Sequence, residues 1–279
     1  MMKSVIWLHD GVLDTLNDAF VHITANVTPL FISQGMTVII QPGCTISGRA
    51  VELALNRDVF VFVSSKGATK LYSWVPVPAS LRNFLTQVTS CMHDGARGAV
   101  ARWMLKKRFG RELHPAHSLS VIRGIEGAAV RDLYRKFAEQ YDIRWDSREK
   151  HGTWSALSPL NRTISLCNAA LYGLTEMAVL RAGCSPQFGY VHSSAGERGK
   201  SLVYDIADMV KFTTVTPLAF QYAADGKASP EWRARAACAR MFRTSDLLER
   251  LTRITEDAIH VGEQHIASAA PRRRRKPLP

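Results

Sequence analysis

The chain has 279 residues, 46% of them hydrophobic, and a formal net charge of +12. This composition excludes a disordered chain, because enough apolar side chains are present to bury a sizeable core. The positive charge favours a polyanionic partner, which means DNA, RNA or an anionic membrane. Five positive charges fall in residues 272–276, and the rest of the chain remains basic without them.

The cysteines and the apolar segments predict the cellular compartment. Five cysteines are scattered along the chain without a C-x-x-C pair, which predicts free thiols in a reducing environment. The N-terminus lacks the pattern of a secretory signal, and no run approaches the roughly 20 apolar residues that span a bilayer. We therefore expect a soluble, cytoplasmic protein that engages no membrane.

Residues 1–75 are predicted to form a β-rich N-terminal domain. Short segments rich in β-branched and aromatic residues, at 5–8, 37–40 and 59–63, are separated by turn dipeptides. A short helix is predicted between them, over residues 47–55. The X-Pro steps near residue 76 favour extended backbone, so residues 76–80 are predicted as a linker.

From residue 81 onward the apolar period changes from two to about 3.6, which predicts helices. The helical segments are expected at residues 81–109, 124–141, 160–182, 206–222 and 231–261, with Gly110, Gly183 and Gly226 near their ends. We expect a helical domain over residues 81–265 and a disordered basic tail over 266–279. The fold class is therefore α+β, with a β-rich domain followed by an all-α domain.

A carboxylate falls on an apolar helical stripe. Glu126 has the helical spacing of Val130, Leu133 and Phe137, and burying an unpaired charge is very unfavourable. The side chain therefore needs a partner, which is either an arginine or a metal ion. Both alternatives are compatible with this helix taken alone.

Three further side chains add to this candidate site. Asp205 and Asp208 are three residues apart and are predicted to share one side of a helix start, where they would also complement the helix dipole. His192 follows an apolar segment. Carboxylates with one imidazole suit Mn²⁺ or Mg²⁺, whereas a closed zinc site would need cysteines or an H-E-x-x-H motif. Such a site in a basic protein indicates chemistry on nucleic acid.

A polar stripe is predicted along the helix at 160–182. It is compatible either with a solvent-exposed face or with the lining of an active cleft. Its members are Asn161, Ser165, Asn168, Tyr172 and Thr175, with Glu176 alongside. Basic residues on neighbouring helices are candidates for holding phosphates, and these are Arg123, Arg131, Arg135, Lys211 and Arg243.

These motifs resemble a known family. The segments are Ile-Arg-Gly-Ile-Glu-Gly at 122–127, Leu-Tyr-Gly-Leu-Thr-Glu at 171–176, Gly-Tyr-Val-His at 189–192, Val-Tyr-Asp-Ile-Ala-Asp at 203–208 and Lys-Phe at 211–212. Together they resemble CRISPR-associated protein 1, the integrase of CRISPR adaptation, and in particular its type I-E branch. The resemblance covers roughly residues 4–262.

The resemblance implies roles for individual residues. It makes the helical domain catalytic and gives the β-domain a part in dimerisation and DNA contact. Glu126, His192 and Asp208 would be catalytic ligands of Mg²⁺ or Mn²⁺, and Asp205 a further catalytic carboxylate. Tyr172 and Tyr204 would line the site, and the DNA-binding residues would be Lys70, Arg123, Arg131, Lys211 and, by its basic position, Arg243. His9 and Glu52 depart from residues seen in relatives, where an aromatic wedge and an arginine can stand.

The resemblance also implies a reaction and its partners. The 3′-hydroxyl ends of a protospacer would be joined into the leader-proximal repeat of a CRISPR array by phosphodiester transesterification. The implied partners are double-stranded DNA, a second copy of the chain and a small second adaptation protein, in a four-plus-two complex. Two alternatives stay open, namely a metal-dependent endonuclease on branched DNA and a non-catalytic DNA-bridging scaffold.

Overall fold

The computed structural model describes residues 4–76, 81–148, 153–192 and 199–269. Strands fill its N-terminal part, together with helix α1 (Gly48–Asn56). The strands are β1 (Val5–Leu8), β2 (Gly11–Leu16), β3 (Ala19–Ile23), β4 (Val27–Pro29), β5 (Thr37–Ile40), β6 (Cys44–Ile46), β7 (Phe60–Ser64) and β8 (Leu71–Trp74). The expected β-rich N-terminal part and its short helix are confirmed.

Helices make up most of the rest of the described chain. The helices are α2 (Leu81–Met92), α3 (Asp94–Phe109), α4 (Leu119–Gln140), α5 (Pro159–Arg181), α6 (Ser201–Asp208), α7 (Val215–Ala224), α8 (Pro230–Thr244) and α9 (Leu247–Ala269). The α+β class predicted from the sequence is therefore confirmed. Helix α9 continues four residues past the expected domain end, and residues 77–80 and 270–279, which hold most of the predicted linker and tail, lie outside the described residues.

The strands form two sheets, and one of them joins the β-rich part to the helices. That sheet has the order β1-β5-β7-β8, with β1, β5 and β7 parallel, and the other has the order β4-β3-β2-β6. Along β5, Val38 and Ile40 pack into the N-terminal core, while Ile39 faces the core of the helical part. Both faces of these strands are buried, which explains their uninterrupted apolar sequence.

Three predicted helices are each divided in the structure, so their predicted continuity is wrong. The segment at 81–109 breaks at His93, which has extended backbone and accepts a hydrogen bond from the Ala96 N–H as the cap of α3. The segment at 231–261 breaks at Ser245, and that at 206–222 breaks at a 3₁₀ turn over Lys211–Thr213. The apolar period continues across each short break, so periodicity alone does not reveal it. Gly110 does cap α3, with φ of +65°.

Helix α5 is the central helix and contacts α6, α7, α8 and α9. Among the described residues it is long and apolar enough to cross a membrane by length and composition, with a mean hydropathy of 1.3. This qualifies the expectation that no run approaches that limit. Because 67% of the apolar window is buried inside the protein, α5 has the burial of a core helix.

The cysteines are free and buried, as the sequence predicts. Burial raises the pKa of the Cys91 thiol to about 12. Such thiols act as small apolar side chains in the core.

Gly173 on α5 allows the turn at Lys66–Ala68 to touch the helix. A Cβ at this position would lie 1.7 Å from the carbonyl oxygen of Ala68, so the two backbones would have to separate. We expect Gly173→Ala to destabilise the protein by about 1–3 kcal/mol or more. Calorimetry measures this as a fall in melting temperature of roughly 2–4 °C per kcal/mol. Gly124→Ala is the matched control, because a Cβ there meets nothing within 4 Å and an unchanged or raised melting temperature is expected.

Candidate active site

Four of the predicted site residues come from α4, α6 and the segment that precedes α6. Glu126 lies on α4, Asp205 and Asp208 lie on α6, and His192 lies between α5 and α6. The three carboxylates are buried, with exposed fractions of 8% for Glu126, 3% for Asp205 and 8% for Asp208. Burying three carboxylates is feasible only where cations and hydrogen-bond donors compensate them.

Asp205 anchors the segment that carries His192. Its Oδ2 accepts hydrogen bonds from the backbone N–H groups of Tyr190 (2.6 Å) and Val191 (3.0 Å). Its Oδ1 accepts from the backbone N–H of His192 (2.9 Å) and lies 2.6 Å from the Nδ1 of the same residue. Both carboxylate oxygens are therefore engaged, and the contacts make Asp205 a positioning residue for the histidine.

This anchor selects the tautomer of His192. An ionised carboxylate only accepts hydrogen bonds, so Nδ1 carries the proton and Nε2 keeps its lone pair for a ligand. Burial lowers the pKa of His192, but the hydrogen bond to Asp205 and the charges of Asp205, Asp208 and Glu126 outweigh burial. The resulting pKa lies above the usual value for histidine.

Arg108 is the site residue that sequence reasoning missed. Its Nη1 bonds to Oε1 of Glu126, and its Nη2 lies 3.8 Å from Oδ2 of Asp208. The arginine alternative for the partner of Glu126 is thus realised in the structure. Arg108 follows two lysines near the end of α3, and such a basic run is typical of a solvent-exposed helix end. One feature of the sequence did indicate burial of Arg108. Its helical spacing places it on the same face as the buried Ala101, Met104 and Leu105.

Asp208 is the last residue of α6, so the predicted placement of the aspartate pair at a helix start is wrong. The helix begins at Ser201, since the buried Leu202 and Val203 extend it toward the N-terminus. An anion is unfavourable at a helix C-terminus. Burial raises the pKa of Asp208, but the Lys211 ammonium, 2.7 Å from Oδ1, and the Arg108 guanidinium outweigh this and hold the pKa below its usual value.

The donor set fits a hard divalent cation. Two carboxylates and one imidazole nitrogen are ligand types that Mn²⁺ accepts, and Mg²⁺ accepts the carboxylates readily. Within the described ranges, no three His, Cys, Asp or Glu side chains stand close enough together to hold a metal ion. Instead, Arg108 lies against both Glu126 and Asp208. Glu126, Asp208 and His192 are therefore residue types that bind such a metal ion. In this structure the two carboxylates are paired with Arg108 and Lys211.

Two tyrosines stand next to the histidine. The rings of Tyr172 and Tyr204 meet edge to face at 4.9 Å, and the Tyr204 ring lies 6.0 Å from that of His192. Burial and the charge of Asp208 raise the pKa of Tyr172 above its usual value. Both tyrosines thus adjoin the site, as expected.

The polar stripe of α5 does not face solvent. Asn161 is buried and its Oδ1 accepts a hydrogen bond from Arg148 (2.7 Å), which also donates to the hydroxyl of Ser165 (2.8 Å). Further along the stripe, Tyr172 reaches the histidine through Tyr204. The structure therefore contradicts the first of the two alternatives for this stripe, a solvent-exposed face.

The five candidate DNA-binding residues divide into two groups. Lys70, Arg123, Arg131 and Arg243 are exposed. Arg123 donates from Nε and Nη2 to the carbonyl oxygen of Val191, at 2.8 and 2.6 Å, and so supports the His192 segment. Lys211 is only 8% exposed and is paired with Asp208, so in this conformation it is not a surface cation.

The two residues that differ from those expected in relatives lie in the β-rich part of the chain. His9 is exposed in the turn between β1 and β2, and Glu52 is exposed on α1. Neither residue contacts the buried cluster around Asp208 in the part of the chain described.

Comparison with known proteins identifies the family. The family model described as CRISPR associated protein Cas1 matches residues 106–234, which include Arg108, Glu126, His192 and Asp208. A protein named CRISPR-associated endonuclease Cas1 3, from Methanospirillum hungatei, is 36% identical over 93% of this chain and 87% of its own length. The Escherichia coli protein named CRISPR-associated endonuclease Cas1 is 35% identical over 93% of this chain and 86% of its own length.

Solved structures agree with this result. A crystal structure of a TtCas1–DNA complex superposes with a TM-score of 0.82 at 25% identity, covering 91% of this chain and 95% of the other. A casposase bound to its integration product shares the fold, with a TM-score of 0.64 at 14% identity and coverage of 94% and 96%. With relatives above 30% identity along nearly the whole chain, the protein belongs to the Cas1 family of CRISPR-associated proteins.

Proposed function

We propose that this chain is a metal-dependent DNA endonuclease and integrase of CRISPR adaptation. It joins the 3′-hydroxyl ends of a protospacer into the leader-proximal repeat of a CRISPR array. The observation that carries the proposal is the pair of buried carboxylates, Glu126 and Asp208, near the partly exposed imidazole of His192, whose Nδ1 is fixed by Asp205. The names of the curated relatives, which are endonucleases, support the same class of chemistry.

The site residues have distinct parts in the reaction. When bound by Glu126, Asp208 and Nε2 of His192, Mg²⁺ or Mn²⁺ supplies positive charge at the attacked phosphate. Asp205 holds the proton on Nδ1 and so keeps Nε2 available. Arg108 and Lys211 supply further positive charge beside the buried carboxylates, which favours the extra negative charge of the transition state.

The proposed joining step conserves phosphodiester bonds. The protospacer 3′-oxygen forms a bond to a repeat phosphorus, and the bond from that phosphorus to the neighbouring 3′-oxygen breaks. The attacking hydroxyl loses its proton to solvent, and the leaving 3′-oxygen takes up a proton from solvent to become a hydroxyl. One phosphodiester replaces another, so the reaction consumes no nucleoside triphosphate. Hydrolysis by the same residues differs only in the attacking oxygen, which then comes from water.

The proposed partners are double-stranded DNA, a second copy of the chain and the small second adaptation protein, in the four-plus-two complex. The exposed Lys70, Arg131 and Arg243 are candidates for phosphate contacts. Solved structures with the same fold include a Cas1 complex with DNA and a complex of Cas6-RT-Cas1 with Cas2. Membership of the type I-E branch and a cytoplasmic location belong to the same proposal.

A joining assay tests the proposed function. The purified chain and its small partner are incubated with a protospacer duplex and a supercoiled repeat-bearing plasmid, with Mn²⁺ or Mg²⁺. We expect plasmid covalently joined to protospacer, and no such product from His192→Ala. Cut plasmid without joined product would support the endonuclease alternative. DNA binding without either product would support the scaffold.

Gly189 is expected to be essential for the joining reaction. A Cβ at this position would lie 2.7 Å from Cβ of Ser201 and 2.9 Å from Oδ2 of Asp205, which would push the His192 segment away from its anchor. We expect Gly189→Ala to slow joining by about 10²-fold, since displacements near 1 Å have that effect at active sites. The initial rate of joined product measures the change. A rate equal to that of the unaltered chain would contradict the anchoring role of the Gly189 backbone.

A further inference from the structure

The acidic cluster of the site contains its own cations. The carboxylates of Glu126 and Asp208 stand against the guanidinium of Arg108, and Asp208 also pairs with the ammonium of Lys211. The neighbouring carboxylate of Asp205 pairs with His192. With His192 neutral, three negative and two positive charges leave the cluster with one net negative charge. A divalent cation would therefore convert a nearly neutral cluster into one with net positive charge.

Arg108 has little freedom to leave when a metal ion arrives. Its side chain is only 5% exposed, and those of Glu126 and Asp208 are 11% and 10% exposed. Its Nε and Nη2 atoms are buried without a hydrogen-bond partner, so the two carboxylates are its main compensation. The Cζ of Arg108 also lies over the ring of Phe109, 4.7 Å from its centroid, so moving the guanidinium into solvent would lose this cation–π contact as well.

A second buried cation reinforces the effect. Lys211 is bound to Asp208 at 2.7 Å and its side chain is 10% exposed. Both oxygens of that carboxylate therefore face a positive group. Like charges at close range in a poorly solvated site repel strongly. The metal-free protein should thus hold a divalent cation weakly, although its ligand types are suitable.

We propose that Arg108 is an internal counter-ion that makes tight divalent-cation binding depend on a DNA phosphate at the same site. This inference rests on the proposed metal-dependent function and names how its metal site is regulated. The phosphate brings the negative charge that the cluster lacks, so cation and DNA bind cooperatively. Linkage requires the coupling to be mutual, and the cation must strengthen DNA binding by the same factor.

Mn²⁺ binding to the full chain tests the proposal. Free Mn²⁺ is measured by electron paramagnetic resonance for the protein alone, for the protein with a short duplex, and for the duplex alone, which is subtracted. For the unaltered chain we expect the duplex to tighten Mn²⁺ binding at the site by at least about tenfold. Equal affinity with and without the duplex would overturn the proposal without use of any variant.

Variants at position 108 separate the charge from the packing. Arg108→Met removes the counter-ion, so we expect Mn²⁺ affinity without DNA to rise at least about tenfold and the coupling to shrink. Arg108→Lys keeps the charge and should retain weak binding without DNA. Lys107→Met is the matched control, because this neighbour is exposed on the same helix and should change neither quantity. A folded Arg108→Met protein with unchanged affinity would overturn the counter-ion role.

His192→Ala distinguishes this inference from the proposed function. If Mn²⁺ bound to the protein–DNA complex equally well in His192→Ala, the metal site itself, and the proposal with it, would be lost. If Mn²⁺ binding required His192 but gained nothing from DNA, only the counter-ion proposal would fail.

Discussion

Asp208→Asn is expected to abolish DNA joining and to destabilise the fold. The substitution removes a proposed metal ligand and leaves the buried Lys211 and Arg108 facing a neutral group. Loss of such electrostatic stabilisation slows reactions by about 10²–10³-fold or more. Removing one partner of a buried ion pair costs roughly 3–5 kcal/mol. The joining assay and a thermal melt measure the two effects.

A double variant separates these two consequences. Asp208→Asn combined with Lys211→Met removes both partners of the pair and should recover part of the lost melting temperature. Joining should remain absent, because the carboxylate is still missing. Recovery of joining in the double variant would mean that Asp208 serves the fold alone and would contradict its proposed ligand role.

Asp205→Asn is expected to have nearly as large an effect through a different route. An amide nitrogen cannot accept the hydrogen bonds that the carboxylate now receives from the 190–192 segment, so buried N–H groups lose a partner. His192 would lose both its orientation and the partner of Nδ1. We expect joining to fall by about 10–100-fold or more, the usual effect of removing an outer-shell partner.

The pKa of His192 distinguishes this positioning role from a purely structural one. Asp205 raises that pKa against the effect of burial, so Asp205→Asn should lower it in the metal-free protein. Nuclear magnetic resonance titration of the imidazole measures the change. Asp257→Asn is the control, since this exposed carboxylate on α9 should leave the titration unaltered. An unchanged pKa in Asp205→Asn would contradict the contact between the two side chains.

The sequence predicted which side chains lie close together better than it predicted the contacts that hold them. The stripe around Glu126 correctly indicated a buried carboxylate that needs a partner. The identity of the partner depends on α3 meeting α4, a tertiary contact that no local pattern contains. Arg108 therefore looked like the end of a solvated basic run, although its spacing from Met104 and Leu105 pointed inward.

The aspartate pair illustrates the same limit. Spacing placed Asp205 and Asp208 on one helix face, which the structure retains, but not at the correct end of the helix. The start of α6 is determined by the packing of Leu202 and Val203 in the core, and single-residue propensities carry little of that information. The anchoring of His192 joins residues 13 apart through a carboxylate, so it too required the folded chain.

The central claim is that Glu126, His192 and Asp208 converge on one divalent cation in the DNA-bound protein. Crystals of the complex with DNA and Mn²⁺, measured at the manganese absorption edge, test it directly. We expect an anomalous peak within coordinating distance of both carboxylates and Nε2 of His192. A complex with bound DNA and no anomalous peak at these side chains would contradict the claim.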